Sequence, residues 1–219
     1  MKIIKQGYFP TDNKILKAIQ DYRGNRPVSG FMPCVAKSIY DKFCQNSDIV
    51  LDFCAGYGGR LFGAMACKKV KTYTGIEINF KTCVNLHNLY AFLCDYKQKP
   101  VTIINQDSIL GMQQFADQTF DFCFTSPPYF DTEEYDDNKN QSSHKHEKYG
   151  EWFEEYLIKC VTEAKRVSKR VAINIANTGG YDIADDLEKW LKTNKISYDI
   201  SRLKLPSYGK HKYEPIFIF

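Results

Sequence analysis

Short apolar runs alternate with amphipathic stretches along nearly the whole chain, and this alternation restricts the fold more than any single motif does. Apolar residues at Val35, Ala36, Ile39, Tyr40 and Phe43 recur at helical spacing over 33–44, with Pro33 in the first turn. Residues 48–53 (Asp-Ile-Val-Leu-Asp-Phe) then read as a buried strand and 60–67 as a helix of small residues. Strands are expected at 72–78, 100–105, 120–125 and 170–176. Helices are expected at 80–93 (Val84, Leu86, Leu89, Tyr90 and Leu93 inward), 109–115, 151–167 and 181–191. Two closing strands follow, at 196–205 and 215–219. Strand–helix alternation requires right-handed crossovers and parallel pairing, so the expected fold is α/β: a mostly parallel seven-stranded sheet in a three-layer sandwich, closed by an antiparallel C-terminal hairpin. Ligands in such sheets sit beyond the C-terminal strand ends, at the switch point.

One of those strand ends carries Thr125-Ser126-Pro127-Pro128-Tyr129-Phe130. Each proline locks its own φ and lacks an N–H, and Pro127 also restricts Ser126. The turn is rigid and its carbonyls lack local donors. Such acceptors suit an exocyclic amine, because they take its hydrogens and leave the nitrogen lone pair free to attack. Tyr129 and Phe130 offer ring faces to a flat base. A proline-rich loop that merely closes a strand is the plain alternative.

Three more signals fall on the same edge. Asp52-Phe53-Cys54-Ala55-Gly56-Tyr57-Gly58-Gly59 is a glycine turn that lets backbone approach a ligand at Gly56 and Gly58. It lacks the spacing of dinucleotide binders and the Lys-Ser/Thr of a phosphate loop, which favours a ligand without phosphates and argues against a dehydrogenase. Glu77 ends the second strand, placed for ribose hydroxyls or simply facing solvent. Asp107 and Ser108 follow the third, suited to an adenine or to capping the next helix. Four signals on one edge outweigh any one of them.

These segments, with Gly75-Ile76-Glu77-Ile78, resemble the S-adenosylmethionine-dependent amino-methyltransferases of DNA bases. The Ser-Pro-Pro-Tyr form is most similar to the cytosine-N4 enzymes and is shared by some adenine-N6 enzymes. Phe31-Met32-Pro33-Cys34-Val35-Ala36-Lys37 resembles the helix start that packs over the cofactor's methionine end. The resemblance covers roughly 28–180, in one of the family's permuted orders. It implies a Rossmann-like class I methyltransferase domain over 31–219, preceded by an N-terminal arm, 1–30. It also implies a cofactor site at Phe31, Pro33, Asp52, Phe53, Cys54, Ala55, Gly56, Gly58, Glu77, Ile78, Asp107, Ser108 and Ser126. Direct methyl transfer is implied at Ser126, Pro127, Pro128 and Tyr129. Ser126 and the Pro127 carbonyl would hold the amine, Tyr129 would stack on the flipped base, and Phe130 would shape the pocket. Cys54 departs from the family's usual Phe. No segment is left over for a separate target-recognition domain, so specificity falls to the 126–149 loop, the 205–213 loop, the arm or a partner chain.

The partner expected is DNA, with RNA as the alternative. A homodimer, a separate specificity partner and a silent cofactor-binding subunit are further alternatives. Protein methylation at glutamine is disfavoured, since those enzymes usually carry Asn at the position of Ser126. A net charge of +4 permits nucleic-acid binding without demanding it. His144, Lys145, His146, Lys210 and Lys212 are candidate backbone contacts; a solvated turn is as good an account of the last two. Two histidines at this spacing make a weak case for a metal, and none is expected. The eight cysteines show no C-x-x-C pair and sit mostly in apolar runs. With no membrane span or leader pattern, they suggest buried, reduced thiols in a bacterial or phage-infected cytoplasm. Trp152 and Trp190 fall at helical spacing as core residues.

Overall fold

The computed structural model describes residues 30–95, 98–130, 146, 148–178, 180–204 and 213–219. The elements are α1 (Pro33–Phe43), β1 (Asp48–Asp52), α2 (Gly59–Ala66), β2 (Val70–Glu77), α3 (Phe80–Cys94), β3 (Val101–Asn105), α4 (Ser108–Gln113) and β4 (Phe122–Thr125). After the long connection come α5 (Tyr149–Trp152), a π-helical stretch (Phe153–Ile158), α6 (Lys159–Val167), β5 (Val171–Asn174), α7 (Ile183–Thr193), β6 (Asp199–Lys204) and β7 (Tyr213–Ile218). The arm, the 131–145 segment and the 205–212 loop lie outside the described residues, and with them His144, Lys145, Lys210 and Lys212.

The seven strands lie in the order β3-β2-β1-β4-β5-β7-β6. The pairs β3–β2, β2–β1, β1–β4 and β4–β5 are parallel, whereas β7 runs antiparallel to both β5 and β6. The expected sheet and C-terminal hairpin are therefore present. The order reverses between β1 and β4, so the switch point lies between the ends of these two strands.

Alternation along each strand divides the core into two layers. Leu51, Phe53, Ile76, Cys123, Ile173 and Phe217 face one layer, which includes Met112, Trp152, Leu157, Val161 and Leu187. Val50, Tyr73, Phe122, Phe124, Ala172 and Ile216 face the other, which includes Ala36, Tyr40, Leu61, Ala64 and Leu86. Helices thus cover both faces, as parallel strands buried on both sides require. Trp152 is fully buried and Trp190 packs against the same layer. The eight cysteines are free thiols, and only Cys34 is exposed. Val84 departs from expectation: it is exposed, and Cys83 takes the inward position beside Leu86. A single position, about 100° of helix rotation, separates the two, and the apolar character of Val84 does not decide it.

The expected 151–167 helix starts earlier and widens in its middle. Across the π-helical stretch, Phe153, Tyr156, Leu157 and Ile158 all reach the core. A π-turn fits an extra residue into the helical repeat, and these turns concentrate near functional sites. Among the described residues no helix is long and apolar enough to cross a membrane, and no cluster of His, Cys, Asp or Glu could hold a metal ion.

Candidate active site

The glycine turn follows β1. Gly56 and Gly58 both take left-handed backbone, with φ of 53° and 84°. A Cβ on Gly58 would also lie 2.6 Å from a Leu89 methyl, and one on Gly59 would lie 1.7 Å from the Phe31 carbonyl oxygen. The chain before α1 therefore crosses directly over the start of α2, and a side chain at Gly59 would separate them. The Phe31 ring packs edge-on against Phe124 at 5.5 Å and under the Arg60 guanidinium at 5.4 Å. Pro33 is exposed in the first turn of α1.

Below the turn lies a polar hub. The Asp52 carboxylate is fully buried and accepts five hydrogen bonds. Arg60 donates twice, through Nε at 2.8 Å and Nη2 at 3.2 Å. Tyr73 donates from its hydroxyl at 2.8 Å, Thr125 from Oγ1 at 2.8 Å and the Cys54 amide at 3.3 Å. Arg60 also donates to the Cys54 carbonyl. Burial alone would lower the Arg60 pKa; the adjacent Asp52 charge more than reverses this and holds it above its ordinary value. Asp52 is thus turned inward, where it holds the turn from below and does not present its carboxylate to a ligand. The Phe53 ring and the Ala55 methyl are likewise buried, so these two residues meet the edge through backbone alone.

Glu77 sits at the end of β2, half-buried. Its Oε2 accepts from the Gly56 amide at 2.9 Å and its Oε1 from the Asn79 amide at 2.9 Å. Burial raises its pKa, against the opposing pull of those two amides. The carboxylate therefore closes onto the glycine turn. The next residue, Ile78, offers its carbonyl to the Asn105 side chain at 3.0 Å. Asp107 caps α4, accepting from the amides of Ile109 at 3.0 Å and Leu110 at 3.3 Å. Ser108 donates to the Phe53 carbonyl at 2.7 Å. The helix-cap account of Asp107 thus holds, and Ser108 ties the ends of β1 and β3 together.

Cys54 completes this edge. Its Sγ lies 3.4 Å from the Tyr156 hydroxyl and 3.6 Å from the Ser108 hydroxyl, and burial pushes its thiol up to about 12. The π-helical stretch delivers Tyr156 to this point, and its ring occupies space beside the small Cys54 side chain. The rise in pKa keeps Cys54 a neutral thiol at physiological pH.

The double-proline turn follows β4, the neighbouring strand. Ser126, Pro128 and Tyr129 are half-buried and Pro127 is buried. Phe130, expected to shape the pocket, packs its ring into the core. It is only 5 % exposed, and its ring lies 5.0 Å from Tyr181, 5.7 Å from Trp152 and 5.9 Å from Tyr149. Its backbone is left-handed, with φ of 42°, an uncommon conformation for an aromatic residue. The bend turns the ring into the protein and away from the site edge. Its apolar character alone did not say which way it would point. Tyr149, in the same cluster, donates to Asp186 Oδ2 at 2.7 Å. His146 is half-buried before α5.

Arg60, Tyr73 and Tyr156 are absent from the residues singled out in the sequence, and Thr125 stands there only as the residue that heads the double-proline stretch, with no role of its own. Arg60 had a signal: it is a lone charge in a helix otherwise made of small and apolar residues, eight positions after Asp52. The others read as ordinary strand or helix residues.

The edge fits a ligand with a diol and without phosphates. Left-handed glycines clear the backbone, a carboxylate stands at the end of β2, and the nearby guanidinium is engaged by Asp52. Solved structures similar to this one share its fold. The chain aligns with PH0851 at a TM-score of 0.61 and 14% identity, covering 88% of this chain but only 46% of that one, about half its length. It aligns with a methyltransferase from Pyrococcus furiosus at 0.57 and 18% identity, over 94% of this chain and 96% of that one. A candidate methyltransferase from Streptococcus mutans, in complex with SAH, aligns at 0.56 and 10% identity over 87% and 98%. No curated protein matches the chain in sequence. The family model for N-6 DNA methylases matches residues 28–165, more than half of the chain. That stretch holds the glycine turn, Glu77 and the double-proline turn on one sheet edge; the chain belongs to the N-6 DNA methylase family, with S-adenosylmethionine as its cofactor.

Proposed function

We propose that the protein methylates an exocyclic amino group of a DNA base. The observation that carries this is the pairing of two turns at the switch point: a glycine turn after β1 and Ser126-Pro127-Pro128-Tyr129 after β4, in strands that are direct neighbours. S-adenosylmethionine, when bound, supplies an electrophilic methyl group. Gly56 and Gly58 admit it to the backbone, and Glu77 takes the ribose hydroxyls in place of part of its present contact with the Gly56 amide. Asp52 contributes by holding the turn. Asp107 and Ser108 border the far side.

On the acceptor side, the Ser126 hydroxyl and the Pro127 carbonyl accept the hydrogens of the target amine. This aims the nitrogen lone pair along the line of transfer. Tyr129 stacks on the flipped base, whose unpairing costs a few kcal/mol. The acceptor nitrogen would take the methyl as its bond to the sulfonium sulfur breaks, the cofactor leaving as a neutral thioether, and would lose a proton to solvent; such direct transfer needs no cysteine nucleophile. Cys123, fully buried before the turn, remains a core thiol. The serine at the head of the motif favours cytosine N4, whereas the family match favours adenine N6. His146, half-buried before α5, would meet phosphates of the nucleic acid.

Incubation with isotope-labelled S-adenosylmethionine and either double-stranded DNA or total RNA, followed by nucleoside mass spectrometry, tests this. Label in N4-methylcytosine or N6-methyladenine from DNA supports the proposal and names the base. Label only in RNA replaces DNA with RNA, and no label on either overturns amine methylation of nucleic acid. Ser126→Ala is expected to lower turnover at least a hundredfold with cofactor affinity held within about twofold.

A further inference from the structure

We propose that Thr125 is a positioning residue that couples the donor turn to the acceptor turn through Asp52; this rests on reading Ser126–Tyr129 as the acceptor turn. Direct methyl transfer requires donor and acceptor to be held in line, and a displacement of about 1 Å can cost a hundredfold in rate. The donor side hangs on β1 and the acceptor side on β4. Backbone pairing between these strands covers Val50 with Phe122 and Leu51 with Cys123, and stops there. β4 continues to pair on its other side, where Thr125 lies opposite Ile173 of β5. Near the ligand edge, then, the tie from β4 back to β1 is a side-chain bond: Thr125 Oγ1 to Asp52 Oδ1, 2.8 Å, fully buried.

The same Oδ1 accepts from the Cys54 amide at 3.3 Å, inside the glycine turn. One oxygen atom therefore links the residue that begins the glycine turn's backbone to the residue immediately before Ser126. Arg60 and Tyr73 hold the carboxylate against motion from α2 and β2, so a shift of one turn is transmitted to the other and not absorbed. In water such a bond would be exchangeable. Here it is buried and is the shortest of the three bonds to Oδ1, so its loss leaves that oxygen with only the longer bonds from Arg60 Nη2 at 3.2 Å and the Cys54 amide at 3.3 Å.

The test compares wild type with Thr125→Val, which keeps the shape and removes the hydroxyl, and Thr125→Ser, which keeps the hydroxyl. Two readouts are taken. The first is hydrogen exchange by mass spectrometry, with and without S-adenosylmethionine, on peptides containing Gly56–Gly58 and Ser126–Tyr129. In wild type the cofactor is expected to slow exchange at both turns. In T125V it is expected to protect the glycine turn only, and T125S is expected to restore both. The second is steady-state kinetics: T125V is expected to lose about a hundredfold in kcat with the cofactor's KM and Kd within twofold, and T125S to recover most of it.

Protection of both turns in T125V, or of the glycine turn alone in wild type, overturns the coupling. A parallel loss of cofactor affinity and kcat also overturns it, by assigning Thr125 to the whole site. If wild type methylates no nucleic acid, the functional proposal fails, and the exchange experiment still decides the coupling. If T125V does not fold, Thr125→Cys, with a weak donor of similar volume, takes its place in both readouts.

Discussion

The two ends of the double-proline turn are held by opposite kinds of interaction. At its start, Thr125 enters a hub of directional bonds around a buried charge. At its end, the Phe130 ring sits among Tyr149, Trp152 and Tyr181, where contact area matters more than direction. The polar end defines position sharply, because Thr125 Oγ1, Arg60 Nε and Tyr73 Oη each reach the fully buried Asp52 carboxylate at 2.8 Å. The aromatic end supplies cohesion and tolerates small changes in ring angle. A rigid turn thus has a fixed edge toward the donor and a compliant anchor toward the long connection.

Substitutions can break this contrast. The largest effect is expected for Arg60→Ala. The Asp52 and Arg60 side chains are 0% and 6% exposed, so removing the cation leaves a buried charge uncompensated. A loss of about 3–5 kcal/mol in urea unfolding is expected. Replacing both partners with apolar residues of similar volume should cost less than the single change. If the single change costs under about 1 kcal/mol, the hub is not the rigid edge.

Phe130→Ala comes next. Opening a cavity in the aromatic cluster should cost about 3 kcal/mol, whereas Phe130→Leu should stay under about 1.5 kcal/mol. Turnover should fall in the Ala variant with cofactor affinity unchanged, since the ring supports only the acceptor side. Tyr149→Phe is milder. It removes the bond to Asp186 and should lower stability by about 1 kcal/mol, read from the unfolding midpoint at constant m.

The smallest effect is expected from pH. Burial raises the folded-state pKa of Glu77 above its ordinary value, so the folded protein holds this proton more tightly than the unfolded chain. The stability contribution is complete below the unfolded pKa and is lost as pH rises through the folded one. Glu77→Gln should remove this part of the slope of melting temperature against pH in the range just above ordinary carboxylate titration. On the proposal that Glu77 takes the ribose hydroxyls, wild-type cofactor affinity is expected to fall on acidification and the fall to be absent in Glu77→Gln. An unchanged slope would mean that the carboxylate is better hydrated than its surroundings suggest.

Much of the architecture was legible. The expected strands meet the observed ones within a few residues, because β-branched apolar runs bounded by turn residues leave few alternatives. Gly56 and Gly58 were identified as close-approach positions and both take left-handed backbone. The sequence suits Asp107 both to a ligand and to capping, and it caps α4. Orientation was less legible. The helical period points Val84 inward, yet it is exposed, and the apolar ring of Phe130, suited by composition to a pocket, is buried. The π-helical stretch has no signature in hydrophobic period, since widening the helix by one residue follows from what Tyr156 must reach across the fold.

The sequence by itself determined the alternation of strands and helices, the rigidity of the Ser126–Tyr129 turn and the presence of a glycine turn. Each depends on steric rules that act within a few residues. The tertiary structure decided which side chains meet. Thr125 and Asp52 are separated by 73 positions in the chain, and Arg60 of α2 and Tyr73 of β2 come to the same carboxylate from two further places. They meet because β1 lies between β2 and β4 in the sheet. Strand order is a property of how whole layers pack, and local periodicity carries no record of it.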